Sequence, residues 1–199
     1  MSTPSAAGLV LAAGEGTRMG TPKALVHDES GTPWVVSTAR TLRDGGCGPV
    51  VVVVGAAAVQ VRAALAGEDV DTTYAADWST GMGASLRAGL TTLATHAQPT
   101  VAVVAVVDTP DLPPGVVRRL LEHAEGSGSL VRATYDGLPG HPVVLGARHF
   151  SGIIDSARGD VGARDYLRDH PPVEVECSDL ARGTDVDVPG DLPRGHRLG

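Results

Sequence analysis

The sequence predicts an α/β fold with a mostly parallel sheet and a small antiparallel excursion, and three apolar segments carry most of this prediction. Residues 8–12, 50–54 and 101–107 are apolar without polar alternation, which is typical of strands that helices cover on both faces. Segments with a helical pattern separate them, so strand and helix alternate along the chain. This order favours parallel strands joined by right-handed crossovers.

The remaining elements follow in chain order. Helices between the first strands are predicted at residues 34–42, 59–65 and 85–93. A fourth helix starts at Pro113 or Pro114, where proline suits the first turn, and runs to Glu125. Two strands, two short helices and two segments that are either strands or extended chain complete the prediction, at residues 130–135, 142–145, 147–157, 161–170, 173–177 and 184–188.

Composition indicates a single domain, predicted to span residues 6–193, with flexible ends at residues 1–5 and 194–199. A chain of 199 residues with 42% apolar content is long enough for one sizeable core. The net charge of −7 comes from interspersed residues of both signs, which argues against nucleic acid or an anionic membrane as a partner. Two cysteines without C-x-x-C spacing, and an N-terminus without a signal-peptide pattern, predict a cytoplasmic protein.

A glycine-rich turn follows the first strand and ends at Lys23, the only lysine in the chain. Such a turn points backbone N–H groups at an anion, and a compact ammonium suits a phosphate that changes shape during reaction. A Walker loop is excluded because Thr21 and Pro22 separate Gly20 from the lysine. A dinucleotide fingerprint is disfavoured because Met19 stands where its third glycine belongs.

The turn sequence LAAGEGTRMGTPK, residues 11–23, resembles the LAAGxGxRMGxxK signature of the MobA-like nucleotidyltransferases. The resemblance extends over most of the chain and is greatest to the branch that includes molybdopterin cytidylyltransferase. It implies a three-layer α/β/α Rossmann-like nucleotidyltransferase fold and transfer of a nucleotidyl group from a nucleoside triphosphate, with release of pyrophosphate. The other segments that carry it are residues 78–90, 108–111, 140–142, 159–164 and 185–192.

A Mg²⁺ site is expected at Asp108, which follows the buried strand 101–107. An open α/β sheet places ligands at the carboxyl ends of its strands, and Mg²⁺ usually takes one or two carboxylates plus phosphate and water. The resemblance makes Asp108 the metal aspartate and Asp187 its partner. The alternative for Asp108 is a turn or helix cap ahead of Pro110. Asp111 and Asp185 are expected to cap turns.

The resemblance also assigns the nucleotide site. Arg18 and Lys23 would hold the β- and γ-phosphates and stabilise the leaving pyrophosphate, which makes them catalytic together with Asp108; for Arg18 the alternative is solvated surface charge. The base would lie on the turn, and the start of a helix would meet base or ribose unless its glycines only shape a turn. The residues predicted to bind the nucleotide are Leu11, Ala12, Ala13, Gly14, Gly16, Lys23, Gly81, Gly83 and Ser85.

The acceptor side is predicted at Gly140, His141 and Pro142, which resemble the family's acceptor motif. A structural role for the histidine is the alternative. The Ala-Ala-Gly form of the turn is similar to cytidylyl-type members, so CTP and molybdopterin are the expected substrates.

The sequence departs from the family's pattern near Asp187. Val188 and Gly190 replace the usual Thr and Glu there, and Pro193 shortens the helix that often follows.

Two other functions remain open. Relatives with the same motifs include NAD(P)H-dependent oxidoreductases of the nicotine blue type, although the missing dinucleotide fingerprint counts against this function. A nucleotide-binding protein without catalysis is the other alternative. The joint presence of Lys23, Asp108 and Asp187 argues against it.

Overall fold

The computed structural model describes residues 5–199, so the predicted flexible end at residues 1–5 lies largely outside the described chain. Seven strands form one sheet in the order β3-β2-β1-β4-β6-β5-β7. All neighbouring strands are parallel except β6, which runs antiparallel to both β4 and β5. The strands are β1 Ala6–Ala12, β2 Val50–Val54, β3 Asp71–Tyr74, β4 Val101–Val106, β5 Leu130–Tyr135, β6 Leu138–Gly146 and β7 Val173–Glu176.

Helices cover both faces of this sheet, which confirms the three-layer α/β/α prediction. On one face α1, α2 and α4 bury apolar side chains such as Val61 and Leu120; on the other, α3, α5 and α6 bury Leu90, Ile153 and Leu167. Their bounds are α1 Trp34–Asp44, α2 Ala58–Ala64, α3 Met82–Thr92, α4 Pro114–Glu122, α5 Phe150–Ser156 and α6 Arg164–Asp169. Within residues 5–199 no helix has both the length and the hydropathy needed to cross a bilayer.

Strands β1, β2 and β4 form the centre of the sheet and are fully buried, as their unbroken apolar sequences predict. The chain leaves β1 for β2 on one side and reaches β4 on the other, so the connections diverge between β1 and β4. Ligands of open α/β sheets bind at such a point, outside the carboxyl ends of the strands. The glycine-rich turn leaves β1 there, and Asp108 follows β4.

Three segments add to the predicted secondary structure. Residues 71–74 form an edge strand beside β2 that the sequence did not reveal, because its polar side chains are mostly exposed. Residues 184–188, predicted as a strand or an extended segment, are not part of a strand, and Val186 N–H donates to the carbonyl of Asp108. The end at residues 194–199, predicted to be flexible, contacts the rest of the fold: Arg197 pairs with His27 through two backbone hydrogen bonds, and Trp34 Nε1 donates to His196 Nδ1 at 3.0 Å.

Candidate active site

A cavity of about 380 Å³ lies outside the carboxyl ends of β1 and β4. Its walls are the glycine-rich turn, the segment around Trp78–Met82 at the start of α3, and Asp108 after β4. The volume is in the range of small-molecule and cofactor sites. We call it the nucleotide cavity, after the ligand that the sequence predicts for it.

Two residues fix the shape of the glycine-rich turn. Gly16 has φ +68°, and a Cβ there would lie 1.9 Å from the carbonyl oxygen of Thr21, so no other residue fits this turn. Met19 is buried and packs with Val26, Trp34 and Val186. The methionine that breaks the dinucleotide fingerprint is therefore an apolar anchor, which ties the turn to α1 and to the segment that carries Asp187.

Lys23 lies at the centre of the cluster of charges on the cavity wall. Its ammonium donates to Asp108 Oδ2 at 2.9 Å and to Asp187 Oδ1 at 2.6 Å. Burial by itself would lower the pKa of Lys23, but the hydrogen bonds and charges of the two aspartates outweigh it and raise the pKa above its ordinary value. The lysine is therefore fully charged at neutral pH and joins two carboxylates from distant parts of the chain.

Arg18 contacts the same cluster from the solvent side. Its two terminal nitrogens donate to Asp187 Oδ2 at 2.9 Å and Oδ1 at 3.0 Å, a bidentate pair. The hydrogen bond from Lys23, together with the charges of Lys23 and Arg18, lowers the pKa of Asp187. Thus both predicted phosphate-binding cations are bonded to carboxylates, and the Arg18 side chain is 70% exposed.

The carboxylates fit a divalent cation that takes further ligands from phosphate or water. Asp108 Oδ1 is buried and has no hydrogen-bond partner in the described chain, whereas Oδ2 bonds Lys23. Residues 5–199 contain no group of three or more His, Cys, Asp or Glu side chains placed to hold a metal. A hard cation such as Mg²⁺, for which one or two carboxylates suffice, agrees with this donor set; a site built entirely from protein ligands does not.

The two aspartates expected to cap turns behave differently. Asp111 Oδ2 accepts hydrogen bonds from the backbone N–H of Arg182 and Gly183, at 2.8 and 3.3 Å, so it holds a distant segment of the chain. Asp185 caps nothing among the described residues and lines a second cavity instead. Desolvation and the charge of Asp108 raise its pKa. The prediction of a cap at Asp185 is therefore wrong, and its carboxyl group belongs to the site.

Most of the predicted nucleotide-binding residues do lie on the wall of the nucleotide cavity. They are Leu11, Ala12, Ala13, Gly14, Gly16, Lys23, Gly81 and Ser85. Gly83 does not: a Cβ there would lie 2.8 Å from the backbone nitrogen of Arg158, so this glycine allows close packing. Gly81 has φ +112°, and a Cβ would meet Asp160 Oδ1 and the Gly159 carbonyl carbon, each at 2.5 Å.

A second cavity, of about 540 Å³, opens beside the first and shares Leu11, Met82 and Asp160 with it. Gly140 and His141 line it, whereas Pro142 does not. Desolvation lowers the pKa of His141, so its ring is neutral at pH 7. We call this the acceptor cavity, because it holds the predicted acceptor residues.

Sequence reasoning missed two residues of this region. Asp160, which lines both cavities, lies in a segment that carries the family resemblance, but no role was assigned to it. Arg132 lies in β5 and lines the acceptor cavity. A single arginine inside an apolar strand was the only signal for it, and that signal does not show which cavity the strand will face.

The fold and site define an open α/β protein with adjoining ligand cavities at the topological switch point. Residues 8–175 match the MobA-like NTP transferase domain, and the chain belongs to this family. This confirms the resemblance seen in the glycine-rich turn. Asp187 lies beyond the matched residues, so its place in the site depends on its contacts with Lys23 and Arg18.

Relatives of known sequence carry two different names. The nicotine blue oxidoreductase of Paenarthrobacter nicotinovorans is 38% identical over 195 residues, which are 93% of either chain. The bifunctional protein GlmU of Burkholderia ambifaria is 33% identical over 190 residues. That match includes 92% of this chain but only 38% of GlmU.

Solved structures show the same fold. Rv0371c from Mycobacterium tuberculosis H37Rv superposes with a TM-score of 0.80 at 28% identity, over 96% of both chains. A structure of Rv0371c in complex with manganese matches with a TM-score of 0.69 at 26% identity, over 94% of this chain and 92% of that one. Molybdopterin-guanine dinucleotide biosynthesis protein A from Archaeoglobus fulgidus, at 18% identity and a TM-score of 0.68 over 94% and 95%, shares the fold.

Proposed function

We propose that this protein is a cytoplasmic, Mg²⁺-dependent nucleotidyltransferase that moves CMP from CTP onto a phosphorylated acceptor such as molybdopterin and releases pyrophosphate. The observation that carries the proposal is the position of the Lys23 ammonium between Asp108 and Asp187, on the wall of the nucleotide cavity. Membership of the family supports nucleotidyl transfer in general. The Ala12-Ala13-Gly14 sequence, which resembles cytidylyl-type members, supports CTP.

Asp108 and Asp187 would hold the Mg²⁺ ion together with phosphate oxygens and water. When bound, the ion supplies charge neutralisation at the triphosphate and orients the α-phosphate. Its presence is supported by the buried, unpartnered Oδ1 of Asp108 and by the manganese complex of Rv0371c. Manganese and magnesium both favour carboxylate, phosphate and water oxygens.

Lys23 and Arg18 have a second task once the triphosphate is bound. Both donate to carboxylates in the described structure, and phosphate oxygens are alternative acceptors for the same N–H groups. Lys23 has a flexible stem and three donors, so it can follow the β- and γ-phosphates as they leave. Both cations would then stabilise the negative charge that develops on pyrophosphate.

The acceptor would enter from the second cavity, because the two cavities meet at Leu11, Met82 and Asp160. An oxygen of its phosphate group attacks the α-phosphorus and forms a new phosphoanhydride bond, while the bond to the β-phosphate breaks. An ionised phosphate acceptor has no proton to lose. Neutral His141 therefore serves as a hydrogen-bonding group that positions the acceptor, and not as an obligatory base.

A thermal-shift comparison tests the proposal with CTP, GTP, ATP and NADPH, each with and without Mg²⁺. Free ligand at 100 times its Kd stabilises the folded state by about 2.7 kcal/mol, which corresponds to a rise in Tm of about 5–10 °C for a chain of this size. We expect that rise for CTP with Mg²⁺. Asp108→Asn is the matched variant, because it keeps the shape and removes the charge. A rise in that variant equal to the wild-type rise contradicts the proposal.

The 38% identical nicotine blue oxidoreductase supports a second candidate function, reduction of a small acceptor by NAD(P)H in the same two cavities. Stabilisation by NADPH without any metal, and none by CTP with Mg²⁺, would favour it. Stabilisation by CTP with Mg²⁺ but no pyrophosphate release with any acceptor would favour a nucleotide-binding protein without catalysis. The three outcomes are distinguishable in one set of measurements.

A further inference from the structure

We infer that the acceptor cavity selects a molecule with an apolar body and a second anionic group, and that Arg132 binds this group. The inference rests on the proposed function for the identity of the cavity, and it adds the chemical class of the acceptor. It concerns a group distant from the reacting oxygen, at the end of the cavity away from Asp108.

The body of the cavity is apolar. The side chains that face it include Leu86 from α3, Val104 from β4, Val143 and Leu145 from β6, and Leu167 from α6. All five belong to the buried cluster between the sheet and α3, α5 and α6. Surfaces of this kind bind the apolar part of a ligand through the hydrophobic effect, and the few polar groups set its orientation.

Arg132 is the cation that the sheet places within these apolar walls. Its side chain is 22% exposed, and one terminal nitrogen donates to Glu174 at 2.5 Å on the outer strand β7. Its Nε is buried and has no hydrogen-bond partner in the described chain. A guanidinium that Glu174 holds through one nitrogen, and whose Nε–H has no acceptor, is suited to bind a carboxylate, phosphate or sulfonate.

Charge is distributed unevenly along the cavity. Asp185 stands at the end near the metal site, since Val186 bonds the backbone of Asp108, and Asp160 stands where the two cavities meet. These carboxylates disfavour a second anion at that end. Arg132 provides the favourable position for it, and Arg164, which starts α6, adds another guanidinium to the wall.

The strand register gives the distance between the two ends. Arg132 is level with Val143, and Val143 is level with Val104, which lies four residues before Asp108. At about 3.3 Å per residue the levels differ by roughly 13 Å along the strands, and the two strand spacings of about 4.8 Å between β4 and β5 add a sideways component. The length of the arginine side chain shortens this gap. The acceptor would therefore carry its second anion on the order of 10 Å from the oxygen that reacts.

Two matched probes test this inference by fluorescence titration: 6-hydroxy-2-naphthoate, with an apolar body and a carboxylate, and the neutral 6-hydroxy-2-naphthamide. We expect the wild type to bind the carboxylate at least tenfold more tightly than the amide. Arg132→Met should bring the two affinities within about twofold of each other. Arg62→Met, an exposed arginine of α2 that lines neither cavity, should keep the wild-type preference.

A preference for the carboxylate that survives in Arg132→Met, or no binding of the carboxylate by the wild type, overturns the inference. If Arg132→Met does not fold, Arg132→Gln carries the same test, because it is neutral and can still donate to Glu174. Stabilisation by CTP with Mg²⁺ is measured on the same samples and should be unchanged in both variants. Loss of that stabilisation in the wild type would refute the proposed function and leave the anion preference to be judged separately.

Discussion

Replacement of Lys23 by methionine should have two opposite effects: slower nucleotidyl transfer and tighter binding of a divalent metal to the nucleotide-free protein. The ammonium bonds one oxygen of Asp108 and one of Asp187, the same carboxylates that the metal would use. In the absence of nucleotide, lysine and metal therefore compete. In the proposed reaction the lysine would be needed on the phosphates.

The size of each effect follows from the contacts. Loss of one preoriented charge-stabilising group typically costs a factor of about 10²–10³ in rate, so we expect transfer to fall at least ~100-fold, or about 2.7 kcal/mol. Each contact of the ammonium has a Coulomb energy on the order of 4 kcal/mol at an effective dielectric constant near 20, part of which desolvation offsets. A net 1.4 kcal/mol is enough for tenfold tighter metal binding.

Titration with Mn²⁺, followed by electron paramagnetic resonance, measures the metal affinity, and pyrophosphate release measures the transfer. Lys23→Arg is the matched control, because it keeps the charge and changes the compact ammonium to a planar fork. We expect it to bind metal as weakly as the wild type and to recover only part of the rate. Weaker Mn²⁺ binding in Lys23→Met, or an unchanged rate, would refute the assignment of Lys23.

The pH dependence of Lys23 can be followed directly because the chain has no other lysine. The folded state raises the pKa of this group above the ordinary 10.5. Its stabilising contribution is therefore complete below pH 10.5 and is lost as the pH rises through the folded value. A single lysine Nζ resonance should still report an ammonium at pH 10.5. A midpoint below 10.5 would contradict the pair of contacts.

Three further predictions concern other residues. Asp108→Asn should remove the Mg²⁺-dependent part of CTP binding, measured by calorimetry, with little change in Tm. Gly81→Ala should lower the free energy of unfolding by ~1–3 kcal/mol more than Gly67→Ala does, measured by urea titration. Both glycines have positive φ, but of the two only Gly81 lacks space for a Cβ. His196→Leu should lower the free energy of unfolding by about 1–3 kcal/mol, because the Nε1–H of buried Trp34 loses its acceptor. An unchanged urea midpoint would contradict this expectation.

The centre of the fold could be predicted because local pattern and tertiary position agree there. Residues 50–54 are a strand with the predicted bounds, since an apolar β-branched sequence is buried on both faces, and residues 130–135 also have the predicted bounds. The edge strand Asp71–Tyr74 could not be found in this way: it pairs on one side only and leaves polar side chains in solvent. Its pairing with β2 is a tertiary contact, which the local sequence does not reveal.

In the site, too, some residues could be predicted from the local sequence and others could not. The glycine-rich turn and Asp108 were recognisable because their chemistry depends on sequence neighbours. Asp185 was misread because the local sequence does not show which distant segment it approaches, whereas the contact of Val186 with Asp108 brings it to the acceptor cavity. Arg132 could not be assigned before the register of β5 with β6 was known. Contacts between distant segments thus decide which charged residues face a ligand.

The charges of the site bear on the choice between transfer and reduction. Two cations, Lys23 and Arg18, face three carboxylates, Asp108, Asp185 and Asp187, so the cluster without metal is not a favourable place for a polyphosphate. A divalent cation reverses the sign of the cluster and makes it complementary to a triphosphate. A dinucleotide that binds without metal leaves the negative charge of these carboxylates uncompensated beside its phosphates. Metal dependence, more than nucleotide preference, therefore separates the two functions: a requirement for Mg²⁺ explains why the carboxylates lie beside a polyphosphate, and metal-free binding of NADPH would not explain it.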